Sequence, residues 1–305
     1  MNRFRRAVLA ALVTAAVAVP VSGAVRPEVP APEPAALPAS AGPGSRYAAN
    51  RANARDAARM ADAHGDRRRA AHLRTLTDPG RRLLAFDGRG AGRAVEVIGD
   101  LRKAAHLAVL VPGSDTTLDT YERFRAGAAA LHDRLGRRAA VVTWLGYDTP
   151  GTVAPEVLTQ GRADDAAPRL TRLVGRLKAY NPRAHVSALC HSYGSVVCAR
   201  AAGEGLDVGD IVLYGSPGTG ASTADDLGTR ARVWAGRGGD DWIARVPHVS
   251  VGLLGTTVGF GRDPVAPAFG ARPFEAGDGG HSDYLAPGSR SLASIGRIVT
   301  GDARA

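Results

Sequence analysis

Val186-Ser187-Ala188-Leu189-Cys190-His191-Ser192-Tyr193-Gly194-Ser195 is the stretch on which the reading of this chain turns. Residues 184–190 form a run of strand length, and residues 193–202 follow at once with helical character. A strand passing directly into a helix leaves only a tight turn, and that turn holds the Ser192 hydroxyl clear of the backbone. Strand and helix crowd each other there, so small residues are needed two before and two after the serine. Gly194 meets the second need, and Cys190 stands where Gly is usual, giving C-x-S-x-G. The helix N-terminus beneath Ser192 favours negative charge developing beside it.

Outward from this turn the order of elements alternates. Upstream, strands at 82–86 and 94–98 flank Asp87-Gly88-Arg89-Gly90-Ala91-Gly92 and read as a hairpin. A continuous apolar strand follows at 106–111, then a helix at 118–135 and a strand at 139–145. A helical stretch at 155–180 is expected to break at Pro168, and residues 149–168 are a position-based lid candidate. Downstream come strands at 211–214, 230–235 and 272–275 and a closing helix at 289–299. An antiparallel hairpin followed by βαβ units predicts an α/β fold: a mostly parallel sheet with helices on both faces.

A serine hydroxyl becomes a nucleophile only with a base, and the base needs an orienting acid. In this topology they should follow the serine in the order acid, then base, each in a loop after a later strand. After the strand at 230–235 stands Gly236-Arg237-Gly238-Gly239-Asp240-Asp241-Trp242-Ile243. The Asp-x-Ile pattern makes Asp241 the first choice of acid, with Asp240 as the alternative. After the last strand stands Gly277-Asp278-Gly279-Gly280-His281-Ser282-Asp283-Tyr284, which makes His281 the base. The rival His248 follows a proline and reads as a loop or strand residue, and the other histidines precede the serine. An oxyanion hole needs two backbone N–H donors aimed at one point. Tyr193, next after the serine, should supply one, and Gly113 or Ser114, after the strand at 106–111, the other.

Five motifs recur together in order: Val109-Leu110-Val111-Pro112-Gly113, Trp144-Leu145-Gly146-Tyr147-Asp148, His191-Ser192-Tyr193-Gly194, Asp241-Trp242-Ile243 and His281-Ser282-Asp283-Tyr284. Over residues 82–300 the chain resembles an actinobacterial α/β-hydrolase family long known as a domain of unknown function. The resemblance implies an α/β-hydrolase fold with Ser192, Asp241 and His281 as the triad, and little about specificity. Members of that family more often carry Gly at the position of Cys190.

The remaining chain bounds location and partners. Residues 1–24 have a basic head (Arg3, Arg5, Arg6), an uncharged run to Val19, a break at Pro20 and small residues before a cleavage expected after Ala24. They read as an export signal, with an uncleaved anchor as the alternative. Residues 25–45 are rich in Pro and Ala and read as an extended linker outside the fold. Residues 46–81 read as one or two solvated helices packed loosely on a domain at 82–305, with adhesion to an acidic envelope as the alternative. The net charge of +10 is concentrated near the start, since residues 104–305 carry 21 basic and 20 acidic side chains. With Arg at 37 against 2 Lys and aromatics at 5%, this is compositional bias and argues against a nucleic-acid platform.

Cys190 and Cys198 read as two buried thiols, with a staple across the turn as the alternative for an exported chain. The glycine-rich Gly215-Ser216-Pro217-Gly218-Thr219-Gly220 reads as a loop at the pocket mouth. Trp144, Tyr147, Trp242 and Tyr284 could line a pocket or fill the core. No cofactor and no metal are expected. The sequence thus predicts a secreted serine hydrolase acting on a small-molecule or lipid ester through an acyl-enzyme. A cell-envelope acyltransferase and a non-catalytic binding module are the alternatives.

Overall fold

Residues 29–154, 157, 159–246, 251–253 and 256–302 are described in a computed structural model of the chain. The export signal, its cleavage after Ala24 and the rival His248 lie outside the described residues.

In chain order the elements are α1 (Pro43–Ala63), α2 (Arg67–Thr75), β1 (Leu83–Asp87), β2 (Arg93–Ile98), β3 (His106–Val111), α3 (Tyr121–Leu135), β4 (Ala139–Leu145), α4 (Gly161–Tyr180), β5 (His185–His191) and α5 (Gly194–Gly203). Then come β6 (Asp210–Tyr214), β7 (Arg232–Gly236), a short pair β8 (Val251–Leu253) and β9 (Thr256–Val258), β10 (Arg272–Pro273) and α6 (Arg290–Thr300). The main sheet runs β1-β2-β4-β3-β5-β6-β7-β10. β1 and β2 form the antiparallel hairpin, β2 meets β4 antiparallel, and every later pairing is parallel. This is the mostly parallel sheet with an antiparallel hairpin that the alternation of elements predicted, and the α/β-hydrolase arrangement that the resemblance implied.

Burial explains the elements. β3, β4 and β6 are buried almost throughout, as strands covered on both faces must be. On one face α4 and α5 pack Leu170, Val174, Leu177, Val196 and Val197 against the sheet. On the other, α3 and α6 bring Ala128, Leu131, Ile295 and Val299.

Four expectations are corrected. Pro168 does not break α4, which runs through it from Gly161 to Tyr180. Ala163, Ala166 and Ala167 before it and Leu170, Leu173, Val174 and Leu177 after it are all buried, and that burial outweighs one missing hydrogen bond. The same burial ties the end of the lid candidate to the core.

The N-terminal part is not loosely attached. α1 and α2 turn Ala54, Ala57, Ala58, Ala61, Ala70, Leu73 and Leu76 into a third cluster with Leu83, Phe86, Leu118, Tyr121 and Leu145. Alanine faces let helices approach a sheet edge closely, so few large side chains are needed. Nor does the linker run free from Val29 onward. Arg46, itself buried, donates to the Pro38 and Ala41 carbonyls, and Tyr180 Oη donates to Ala41 O at 3.0 Å.

Cys190 and Cys198 are joined as a disulfide rather than left as two thiols. Cys190 is the next-to-last residue of β5, Cys198 lies in the second turn of α5, and the sharp turn between them folds the helix back over the strand end.

Candidate active site

Strand register brings the loops together. Val111 pairs with Cys190, His191 with Tyr214, and Tyr214 with Gly236, so β3, β5, β6 and β7 end at one edge. The chain leaves β3 toward β4 on one side and returns as β5 on the other. That reversal opens a crevice at the carboxyl ends of β3 and β5, where ligands bind in such sheets.

Ser192 stands at this point. Its φ of 51° is left-handed, a conformation costly for a residue with a side chain and held here by the surrounding turn. Ser192 N–H donates to Tyr214 O at 3.0 Å, and Ser195 N–H donates back to Ser192 O at 2.9 Å. The crowding expected at Gly194 is present, since a Cβ there would lie 2.6 Å from the Val111 carbonyl oxygen.

Ser192 Oγ lies 2.9 Å from His281 Nε2. On the other side of the ring, His281 Nδ1 lies 2.9 Å from Asp241 Oδ1 and 3.1 Å from Oδ2. Asp241 is an acceptor when ionised, so Nδ1 carries the proton and Nε2 is left to accept from the serine. Burial alone would raise the Asp241 carboxyl, but the His281, Tyr284 and Ile243 donors outweigh it and hold it below the usual carboxylate range. The Asp-x-Ile pattern now has its reason: Ile243 N–H donates to Asp241 Oδ1 at 2.9 Å. The alternative acid, Asp240, is exposed.

The proposed oxyanion donors sit beside the serine. A Cβ on Gly113 would lie 2.6 Å from Ser192 Cβ, so only glycine lets this loop lie against Ser192. Ser114 follows Gly113 in the same loop, and both line the cavity above Ser192 together with Tyr193.

Two residues of the site were missed or left undecided by sequence. His191 Nε2 donates to His281 O at 2.8 Å, and its ring stacks on Tyr214 at 5.1 Å. Burial, with His281 adjacent, pushes its pKa down to about 4, so it stays neutral near pH 7. Its place beside the serine in C-H-S-Y-G was the available signal. Tyr284 Oη donates to Asp241 Oδ2 at 2.5 Å.

A family profile described as alpha/beta hydrolase matches residues 87–251, more than half of the chain. The chain belongs to this alpha/beta hydrolase family. Over 110 residues the chain is 42% identical to uncharacterized proteins of Mycobacterium tuberculosis and Mycobacterium bovis. Those matches cover 34% of this chain and 41% of each relative, less than half the length of the curated relatives. Among solved structures it is similar to an α/β serine hydrolase without a lid from Xanthomonas campestris, at 18% identity, 73% of this chain, 94% of that chain and a TM-score of 0.45. It is also similar to an esterase from Mycobacterium marinum, at 19% identity, 79% of this chain, 88% of that chain and a TM-score of 0.44.

Over Ser192 lies a cavity of about 740 Å³. Phe124 and Leu285 line it from the α3 side of the sheet, Val157 and Phe260 from the α4 side, and Trp242 and Ile243 from the acid loop. Trp242 is 44% exposed, with its ring 4.7 Å from that of His281. Trp144 and Tyr147 are core residues instead, stacked at 5.7 Å. Pro217 of the glycine-rich loop lines the cavity, and Gly220 N–H of the same loop donates to Phe260 O at 2.8 Å. Among the described residues no cluster of His, Cys, Asp or Glu is arranged to hold a metal ion.

Proposed function

We propose that this hydrolase is an exported serine esterase with Ser192 as nucleophile, His281 as base and Asp241 as the acid that orients it. The observation that carries the reading is the unbroken line of contacts Ser192 Oγ–His281 Nε2 at 2.9 Å and His281 Nδ1–Asp241 Oδ1 at 2.9 Å.

In the first half-reaction Ser192 Oγ bonds to the ester carbonyl carbon as its proton passes to His281 Nε2. The carbonyl electron pair moves onto oxygen, toward the amides of Tyr193 and of Gly113 or Ser114. When the C=O re-forms, the alkoxide leaves and takes the proton from His281. Water then repeats the sequence on the acyl-enzyme, releasing the carboxylic acid and restoring the serine. The apolar lining of the cavity supports an ester with hydrocarbon on both sides of the scissile bond. A disulfide at the heart of the site supports an oxidising compartment, as the export signal implies.

Ser192→Ala tests this. The variant should lose labelling by a fluorophosphonate probe and at least about 10³-fold of its p-nitrophenyl ester turnover. Turnover at the parental rate would end the proposal.

A further inference from the structure

Tyr284 is a buried phenol that no step above uses. It follows His281 by three residues, on the loop that carries the base. Its hydroxyl reaches across to the loop that carries the acid, donating to Asp241 Oδ2 at 2.5 Å and accepting from Gly238 N–H at 3.0 Å. Its own backbone is anchored, because Ser291 Oγ, at the start of α6, donates to Tyr284 O at 2.7 Å. The two loops touch here along their backbones: a Cβ on Gly238 would lie 2.0 Å from Gly279 O. The phenol is therefore a polar clasp between acid loop and base loop, fixed at its rear by a helix.

We propose that Tyr284 is a positioning residue for catalysis, acting through Asp241 to set both the angle of the carboxylate beneath His281 and the share of its charge that the imidazole feels. This rests on the reading of Ser192, His281 and Asp241 as a catalytic relay. The carboxylate has two oxygens to place. Ile243 N–H holds Oδ1 and Tyr284 Oη holds Oδ2, so the plane presented to Nδ1 is fixed from both ends. A charge-assisted hydrogen bond of this kind also draws electron density away from the imidazole. Burial and the neighbouring carboxylate push the Tyr284 hydroxyl far above its ordinary range, so it remains a donor throughout the working range.

Tyr284→Phe keeps the ring and removes the donor. More carboxylate charge then faces His281 and favours the imidazolium, so the acid limb of the kcat/KM profile should move to higher pH. Loss of alignment should lower kcat about tenfold with KM held within about twofold. The other groups facing the pair are His191 from β5, Tyr214 from β6, Arg237, which is paired with Asp263, and Asp283, which accepts from Gly280 N–H. None is altered by the substitution, so their effects cancel between parent and variant. Rates are expressed per active site titrated with the fluorophosphonate probe, which keeps the comparison valid for a less stable variant.

A second measurement asks whether the effect runs through Asp241. In an Asp241→Asn background, adding Tyr284→Phe should slow probe labelling by much less than it does in the parent. Fully multiplicative losses, or a parental kcat and pH profile for Tyr284→Phe, overturn the inference. An inactive Ser192→Ala beside an unaffected Tyr284→Phe would remove only the role of Tyr284. An active Ser192→Ala would remove the relay itself.

Discussion

His191 shows how much one side chain beside Ser192 can matter to stability. It donates to the backbone of His281 and carries no charge while buried. Its folded pKa of about 4 lies below the unfolded value of roughly 6.5. Between those two values the unfolded chain takes a proton that the folded chain refuses. Stability should therefore fall as pH drops from about 6.5 toward about 4 and level off below. His191→Gln keeps an N–H donor and removes the titration, so its melting temperature should fall less over that interval. Parallel curves for parent and variant would contradict the assignment. At this scale the sequence was legible where a local pattern exists. Asp241 could be preferred to Asp240 because Asp-x-Ile is a turn cap, and Ser192 because strand meets helix. His191 and Tyr284 act through partners 90 and 43 residues away, and no local spacing encodes such pairings.

The strands β3 and β4 were legible to the residue, since buried parallel strands are uninterrupted apolar runs with sharp ends. The pair β8 and β9 was not, because three-residue strands leave too short a pattern to read. The disulfide between β5 and α5 belongs to this scale too. It closes a loop with a sequence separation of 8. Replacing both cysteines by alanine should cost about 2–3 kcal/mol, by the chain entropy that so short a loop restrains. Urea denaturation measures this, and an unchanged midpoint would show that packing alone holds the turn. Because the staple straddles Ser192, ester turnover at moderate urea should fall earlier in the double variant than in the parent.

Across the whole molecule, Arg69 and Arg81 of the basic N-terminal part are consumed in buried ion pairs. Buried Arg81 pairs with Glu96, itself 1% exposed, and Glu96 also accepts from Arg125 and Tyr121. Buried Arg69 pairs with Asp119 at 3.0 Å and donates to the Gly88 carbonyl. A chain beginning at Arg82 would leave Glu96 without Arg81 and uncover Leu83, Phe86, Leu118 and Tyr121. Losing one partner of a buried ion pair costs roughly 3–5 kcal/mol, before any apolar exposure is counted. Such a truncation should show no cooperative thermal transition, and a melting point within a few degrees of the full chain would refute the shared core. Composition alone invited the opposite view, because alanine-rich, arginine-rich helices look solvated until their neighbours are known.

The tie between Arg46 and Tyr180 joins residues 134 apart, at 2.8 Å. In synthesis Arg46 precedes the ring that anchors it by 134 residues. The alanine face of α1 has its partners earlier, in Leu83, Phe86, Leu118, Tyr121 and Leu145, so the Arg46–Tyr180 tie fastens a segment that can already be seated.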